Sequence, residues 1–230
     1  MQLRERLVAE IVGPAGAGKS TLLCALNRRD RRIRTGLGVW GLPRSLLVFN
    51  ALLTLPFILR LCRARRRRLS WREVELWVRM RALSQLLRRE LSKGDASALV
   101  LDEGAVFALA RLRAFDPEGF DTTGGFDPGT RALLEEWARR LNTIIWLDAP
   151  DATLAARIRT RRKPHRVKRA GDAELSEFLA RYRATYERIL SELAVRYGLK
   201  VIRFSTDEET LEKIAEKVLA ANEPRETISA

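Results

Sequence analysis

One eight-residue segment constrains this chain more than any other feature of its sequence. The segment consists of Gly13, Pro14, Ala15, Gly16, Ala17, Gly18, Lys19 and Ser20. Glycines at this spacing let successive backbone N–H groups converge on phosphate oxygens at the start of a helix. Lys19 adds a positive charge at the β- and γ-phosphates, the Ser20 hydroxyl is a ligand for Mg²⁺, and Thr21 is placed beside the α-phosphate. The segment therefore predicts a nucleoside triphosphate site that takes ATP with Mg²⁺.

The surrounding apolar pattern predicts an α/β fold. Residues 7–12 are typical of a short buried strand, and a helix is expected from about Lys19 to Asn27. Similar apolar runs recur at 98–101, 143–147 and 199–204, with helical patterns between them. Strands separated in this way pair in parallel through crossover helices. We therefore predict a doubly wound parallel sheet.

A second candidate site follows the apolar run that begins at residue 98. The run ends in Asp102-Glu103-Gly104. In open α/β sheets, ligands bind beyond the carboxyl ends of the strands, so an acid at that point can face a ligand. We expect Asp102 to be the Mg²⁺ partner, and Glu103 to accept a proton from a substrate hydroxyl or to orient the substrate. A simple polar turn is the alternative, and it loses weight beside the phosphate-binding segment.

A third candidate is the cationic segment 157–169. Arg157 and Arg161 are four residues apart, so on a helix they project the same way and could clamp the phosphoryl group in transfer. Individual charges in such a run are commonly solvated. His165 is the only histidine of the chain, and its charged surroundings favour exposure over a role as ligand or base.

Capping patterns predict where several helices begin. Ser70 and Glu73 form a capping box before a helix whose apolar stripe runs to Leu91, and a second box is expected at 206–209. Asp172 is expected to cap a helix that ends near residue 198. Residues 116–130 are rich in glycine, proline and aspartate, which is typical of a loop that covers a site, and their end, Asp127-Pro128, starts another helix.

An apolar segment interrupts this regular pattern. Residues 45–59 carry no charge and are followed by the arginine-rich run 63–68. Spanning a membrane needs roughly 20 apolar residues, and Pro56 interrupts the run. We expect a buried helix or a helix at a subunit interface; a peripheral membrane contact and an apolar substrate pocket are the alternatives.

The composition limits the class of protein less sharply. The 43 lysines and arginines exceed the 29 acids, for a net charge of +14 that would attract any polyanion, including nucleic acid. A solvated arginine-rich surface is an equal reading. Residues 1–6 lack a secretory pattern, so we expect a cytoplasmic protein, and the two cysteines fit neither a zinc site nor a disulfide framework.

The order of these elements resembles the thymidylate kinase-like and deoxynucleoside kinase-like branch of the nucleoside monophosphate kinases. The phosphate-binding segment, Asp102-Glu103-Gly104, the run 144–150 and the helix around Phe178 to Tyr182 carry the resemblance. It implies a P-loop fold of three layers with strand order 2-3-1-4-5 and a helical lid. It further implies that Arg157 and Arg161 are lid arginines.

The resemblance also bears on the acceptor. It implies that a helix like 71–91 lines the acceptor pocket, which makes Arg79 a candidate for acceptor binding, and that the 45–91 region forms a homodimer. Two features depart from the family pattern. Residues 36–43 contain no carboxylate where deoxynucleoside kinases place their base, and no arginine accompanies Asp102. The acceptor is therefore open.

These observations lead to one main hypothesis and two alternatives. The main one is a Mg²⁺-dependent phosphotransferase that moves the γ-phosphoryl group of ATP to a small acceptor, a nucleotide or nucleoside first. A P-loop regulatory or nucleic-acid-associated ATPase is the second, because of the net charge. A kinase of a lipid-like or glycan-linked alcohol is the third, motivated by residues 45–59. We expect one domain over 1–222 and a flexible tail at 223–230.

Overall fold

A computed structural model describes residues 6–65, 68–115, 126, 128–162 and 167–221. The predicted tail at 223–230, His165, Asp127 and most of the 116–130 loop lie outside these ranges. Five strands form one sheet: β1 (Leu7–Val12), β2 (Ile33–Leu37), β3 (Ala98–Asp102), β4 (Thr143–Asp148) and β5 (Lys200–Ser205). The helices that the structure describes are α1 (Lys19–Arg29), α2 (Arg44–Arg65), α3 (Trp71–Lys93), α4 (Ala105–Phe115), α5 (Pro128–Ala138), α6 (Asp151–Thr160), α7 (Asp172–Tyr197) and α8 (Leu211–Ala220).

The sheet is parallel, with strand order β2-β3-β1-β4-β5, as predicted. Strand β1 is central, with Ile11 opposite Asp102 of β3 and Val12 opposite Trp146 of β4. Strand β1 lies between β3 and β4, and the connections that follow from it run toward opposite edges of the sheet. That arrangement opens a crevice at the carboxyl edge of the sheet, next to the phosphate-binding segment.

Alternating residues of the strands build two cores, one on each face of the sheet. Val8, Val12 and Trp146 pack with residues of α3, α4 and α7. Ala9 and Ile11 face the other way and pack with residues of α1 and α8. Because successive side chains of a strand point to opposite faces, this division confirms the three-layer architecture.

The helix starts agree only partly with the predicted caps. The capping box of α3 is confirmed, since the Glu73 N–H donates to Ser70 Oγ at 3.3 Å and the Ser70 N–H donates to Glu73 Oε2 at 2.7 Å. Asp172 is the first residue of α7 and not its cap, which is Gly171. The second box is wrong as well, because Thr210 caps α8. Thr206 instead donates its N–H to the Asp148 carbonyl at 2.8 Å, so it belongs to the end of the sheet.

The apolar segment forms the greater part of α2, which continues through Pro56 without a break. The expectation of a buried helix is wrong for most of its circumference, whereas the alternative of a helix at a subunit interface stays a prediction. Arg44–Arg63 is 20 residues long with a mean hydropathy of 1.9, long and apolar enough to cross a membrane by length and composition alone. Among residues 44–63, whose burial the structure describes, only a narrow stripe is buried, and helix α3 is its main partner. The stripe consists of Leu46, Asn50, Thr54, Ile58 and Leu61.

Candidate active site

A cleft of about 690 Å³ lies at the carboxyl edge of the sheet. This volume is within the range of small-molecule sites, which measure roughly 300–1,000 Å³. Its walls come from the phosphate-binding segment, the end of β3, α4, α6, α7 and the turn before α8. The lining residues include Ala15, Gly16, Gly18, Lys19, Ser20, Thr21, Asp102, Glu103, Phe107, Arg111, Arg157, Arg161, Phe178, Tyr182 and Thr206. Three of the predicted signals therefore meet in one cavity.

The phosphate-binding segment has the backbone that its glycines permit. Gly13 has a φ of 144°, and a Cβ there would lie 2.0 Å from the Leu147 carbonyl oxygen, so no other residue fits against β4. Gly18 has a φ of 87° and directly precedes α1. No side chain caps the start of this helix, and its first turn contains no acidic residue. The first N–H groups of a helix have no partner within it and form an anion site. The structure thus contains a cradle that fits phosphate groups.

Lys19 is held over this cradle by backbone oxygens. Its Nζ donates to the carbonyls of Gly13 at 2.8 Å and Pro14 at 2.9 Å. Burial lowers the pKa of Lys19 to about 8, although the carboxylates of Asp102 and Glu103 oppose that effect. A lysine with a destabilised charge gains from the arrival of phosphate oxygens, because they restore the charge compensation that water no longer gives.

The end of β3 forms a strained turn that faces the cleft. Glu103 has a φ of 59°, in the left-handed region that a residue with a Cβ enters at a cost of roughly 1–2 kcal/mol. The loop after β2 holds it there, since the Val39 N–H donates to the Glu103 carbonyl at 2.9 Å. Burial raises the pKa of Glu103, and the charge of Asp102 adds to the shift. A carboxylate with a raised pKa is a better proton acceptor than a free one.

A buried carboxylate supports this turn from below. Glu10 of β1 is fully buried and accepts N–H groups of Val106 at 3.1 Å and Phe107 at 2.9 Å, at the start of α4. Burial raises the pKa of Glu10 to about 7, while these N–H groups lower it. Gly104 passes so close that a Cβ there would lie 2.6 Å from Glu10 Oε2. Sequence reasoning missed Glu10, although an acid inside an otherwise apolar central strand was a signal.

The two predicted lid arginines both reach the cleft but differ in their contacts. Arg157, on α6, donates to the Thr206 hydroxyl at 2.8 Å, to the Thr206 carbonyl at 3.1 Å and to the Gly16 carbonyl at 3.3 Å. It therefore ties the phosphate-binding segment to the end of β5. Arg161 lies just beyond the last residue of α6, and its charge is close enough to lower the pKa of Lys19 further.

A further arginine fixes the start of α6. Arg183 of α7 donates to both carboxylate oxygens of Asp148, at 2.7 and 3.1 Å, and to the Ala149 carbonyl at 2.9 Å. It also donates to Asp151, the first residue of α6, and these carboxylates raise its pKa. The end of β4, α6 and α7 are joined at this point, which sets the direction in which Arg157 leaves its helix.

The far wall of the cleft is aromatic and cationic. Phe107 and Arg111, four residues apart on α4, face Phe178 and Tyr182 of α7. The Arg111 guanidinium also lies 5.2 Å from the ring centroid of Trp40. Sequence reasoning missed Arg111. Its position could have been found, because a helix that starts directly after the Asp102-Glu103 turn directs residues at this spacing toward the strand end.

Arg79, the predicted acceptor-binding residue, lies behind this wall. It is not among the residues lining the cleft in the described part of the chain. Its Nε and Nη2 donate to Glu75 Oε1, and its Nη1 donates to the Val39 carbonyl at 3.0 Å. Its guanidinium lies 4.9 Å from the Trp40 ring centroid, on a ring that Arg111 also contacts. Arg79 therefore supports the loop after β2.

Comparisons with known proteins relate this geometry to solved structures. No protein-family model matches the sequence, and the curated proteins give no match. Deoxyadenosine kinase from M. mycoides with bound dATP is similar over 94% of this chain and 100% of that chain, with a TM-score of 0.51 and 12% identity. The same enzyme with bound dCTP has a TM-score of 0.52 and 13% identity, and the similarity again covers 94% of this chain and 100% of that chain. The YorR protein from Bacillus subtilis, in complex with phosphorylated GDP, has a TM-score of 0.50 and 13% identity. The similarity covers 93% of this chain and 94% of that chain. The chain shares the fold of these proteins, a five-stranded parallel sheet of order β2-β3-β1-β4-β5 between layers of helices.

Proposed function

We propose that this chain is a kinase that uses ATP and Mg²⁺ to phosphorylate a nucleoside or nucleotide. One observation carries the proposal: the phosphate cradle with Lys19 and the acidic turn at Asp102 and Glu103 open into the same cleft. A triphosphate cradle alone would serve any nucleotide-binding protein. A carboxylate with a raised pKa beside it, and an aromatic wall beyond, fit a second substrate that has a hydroxyl group and a flat ring.

The cleft residues support a division of roles. The N–H groups before α1 and Lys19 bind the β- and γ-phosphates. Ser20 and Asp102 would hold Mg²⁺, which commonly takes one or two protein oxygens and completes its shell with water and phosphate. When bound, the ion neutralises charge on the phosphates. Arg161 adds positive charge at the side of the cleft that faces Lys19.

The chemical step follows from these positions. The acceptor hydroxyl oxygen attacks the γ-phosphorus, the bond from that phosphorus to the bridging oxygen of ADP breaks, and the hydroxyl proton passes to Glu103. The charge that develops on the transferred group is stabilised by Lys19 and Arg161. Catalysis of this kind depends on positioning and fixed charge, without a covalent enzyme intermediate.

The far wall favours a nucleoside or nucleotide over other alcohols. Phe107, Phe178 and Tyr182 line it, and stacking on aromatic side chains is a general mode of base recognition. Arg111 provides hydrogen-bond donors at that wall for an acceptor phosphate or a base edge. The deoxyadenosine kinase structures carry dATP and dCTP, which supports an acceptor of this class. We place the reaction in the cytoplasm.

A screen of acceptors by mass tests the proposal. Purified protein is incubated with MgATP and a panel of nucleosides and nucleoside monophosphates, and products heavier by one phosphoryl group are sought. We expect one acceptor class to be phosphorylated, and expect Lys19→Ala to lower the rate by roughly 10²-fold or more, as for loss of a fixed charge at a developing anion. Glu103→Gln should lower turnover, whereas Glu212→Gln, an exposed change on α8, should not.

Two outcomes would overturn the proposal. If Lys19→Ala kept full activity, the phosphate cradle would have no part in the reaction. ATP hydrolysis that nucleic acid stimulates, with no phosphorylated small product, would favour a nucleic-acid-associated ATPase, which the net charge of +14 also suits.

A further inference from the structure

Helix α2 exposes large apolar side chains to an extent that is unusual for a surface helix. The stripe that packs against the protein contains two polar residues, Asn50 and Thr54, beside Leu46, Ile58 and Leu61. The Asn50 amide donates to Gln85 of α3 at 2.9 Å and the Thr54 hydroxyl donates to the Asn50 carbonyl at 2.6 Å. The outward side is apolar instead, and Val48, Phe49, Leu52, Leu53, Leu55 and Leu59 are all about half exposed or more. An exposed apolar patch of this kind marks an interaction site.

One row of residues along the exposed side of α2 indicates which kind of surface the apolar patch could bind. Residues three or four apart lie on one face of a helix. The central row begins at Arg44, continues through Val48, Leu52, Leu55 and Leu59, and ends at Arg63. Leu52, in the middle, is 70% exposed. An apolar row with an arginine at each end matches the boundary between acyl chains and anionic headgroups, because long cationic side chains reach back toward the headgroups.

The neighbouring sequence extends this match. From Arg31 to Arg72 the chain contains 11 arginines and no aspartate or glutamate. Trp71, at the start of α3, is 79% exposed, and tryptophan is enriched at membrane–water interfaces. Apolar burial and several cations together bind a membrane where either alone is weak.

We propose that α2 docks this protein on an anionic lipid surface, with the helix lying in the plane of the interface. The helix does not span, because its buried stripe is packed on α3 from Leu46 to Leu61. A second copy of the chain fits the same face poorly. In either an antiparallel or a parallel pairing, the arginines at the ends of the row meet arginines of the other copy, and the segment from Arg31 to Arg72 contributes no acid to compensate them. An anionic surface compensates all of them.

Co-sedimentation with lipid vesicles tests the docking. The full chain is mixed with phosphatidylcholine vesicles that either contain or lack phosphatidylglycerol, at low and high salt. We expect binding only to the anionic vesicles and weaker binding at high salt. Leu52→Glu should reduce the bound fraction by roughly 10-fold or more, from the lost burial of one leucine. Arg60 and Arg63 are exposed near the end of α2, and Arg60→Gln with Arg63→Gln should reduce partitioning roughly 30-fold, from about 1 kcal/mol per arginine.

A matched control separates the face from general surface effects. Val195 on α7 is 85% exposed, and Val195→Glu introduces the same charge outside α2. It should bind vesicles like the wild type. ATP binding and thermal unfolding of both variants should match the wild type, which shows that the cleft and the fold are intact.

The docking proposal is independent of the proposed kinase activity and has its own refutations. Absence of binding to anionic vesicles would overturn it, as would binding that Leu52→Glu leaves unchanged. Light scattering without lipid gives the third test. A stable dimer that Leu52→Glu dissociates would assign the face to a second copy of the chain instead.

Discussion

Replacing Glu10 by glutamine should change how stability depends on pH, because this buried acid titrates at a different pH in the folded and unfolded states. In the unfolded chain its pKa is near 4.5, whereas burial raises the pKa to about 7 in the folded protein. Between these values the folded state holds a proton that the unfolded state has released. Stability from this group is therefore greatest at low pH and is lost as the pH rises from about 4.5 to 7.

The magnitude follows from these two pKa values. Over the full window the loss is about 3 kcal/mol, at 1.36 kcal/mol per pKa unit. Between pH 5 and pH 8, where most of the window is accessible, linkage gives a loss of about 2.5 kcal/mol. Glutamine at position 10 cannot accept both α4 N–H groups, so the variant also has a cost of about 1–3 kcal/mol that does not vary with pH. The difference in the free energy of unfolding between the two proteins therefore has one part that does not change with pH and one part that does.

Urea unfolding of the wild type and Glu10→Gln at a series of pH values measures both terms. We expect the wild type to be the more stable protein at pH 5, and its advantage to shrink or reverse by pH 8. A difference that stays constant across this range would refute the reasoning, because it would mean that Glu10 has the same pKa in both states. A difference that grows with pH would give the opposite sign and place the folded pKa below 4.5.

Three other substitutions test contacts around the cleft, and a fourth, Arg181→Ala, is a control. Gly104→Ala should destabilise the protein by about 2 kcal/mol in urea unfolding, because its Cβ overlaps Glu10; an unchanged midpoint would mean that the turn moves freely. Arg183→Ala should cost about 2 kcal/mol through its lost bonds to the end of β4. Arg181→Ala, whose ion pair is exposed, should cost at most about 0.5 kcal/mol, and equal costs would contradict the role given to Arg183. Arg157→Lys keeps the charge but loses the forked contact with Thr206, so ATP binding measured by calorimetry should weaken about 10-fold, and unaltered affinity would contradict it.

The sequence predicted those parts of the structure that local patterns determine. The glycine spacing at 13–18, the acid at the end of β3 and the Ser70 capping box each depend on a few neighbouring residues, and all three have the expected geometry. Strand β2 was harder to recognise, because arginine and glycine break its apolar pattern. Its place in the sheet came from the resemblance to known kinases.

Features that depend on contacts between distant segments were not predictable in the same way. Thr206 had the spacing of a helix cap, but Asp148 and Arg157, 58 and 49 residues away along the chain, use its polar groups instead. The apolar content of α2 indicated burial. The exposure of one side of this helix could not be predicted, because a sequence does not show how many neighbours a helix will have. The contacts of Arg79 with Glu75 and Val39 likewise became visible only in the folded chain.

The loop from Gly38 to Pro43 connects two parts of the molecule that serve different ends. Near its start, the Val39 N–H donates to the carbonyl of the strained Glu103, and the Trp40 ring contacts the guanidiniums of both Arg79 and Arg111. Directly after it, Arg44 opens the exposed helix. The backbone that holds the acidic turn therefore runs directly into the helix that we propose to dock on lipid, so the docking face and the cleft share one short connection.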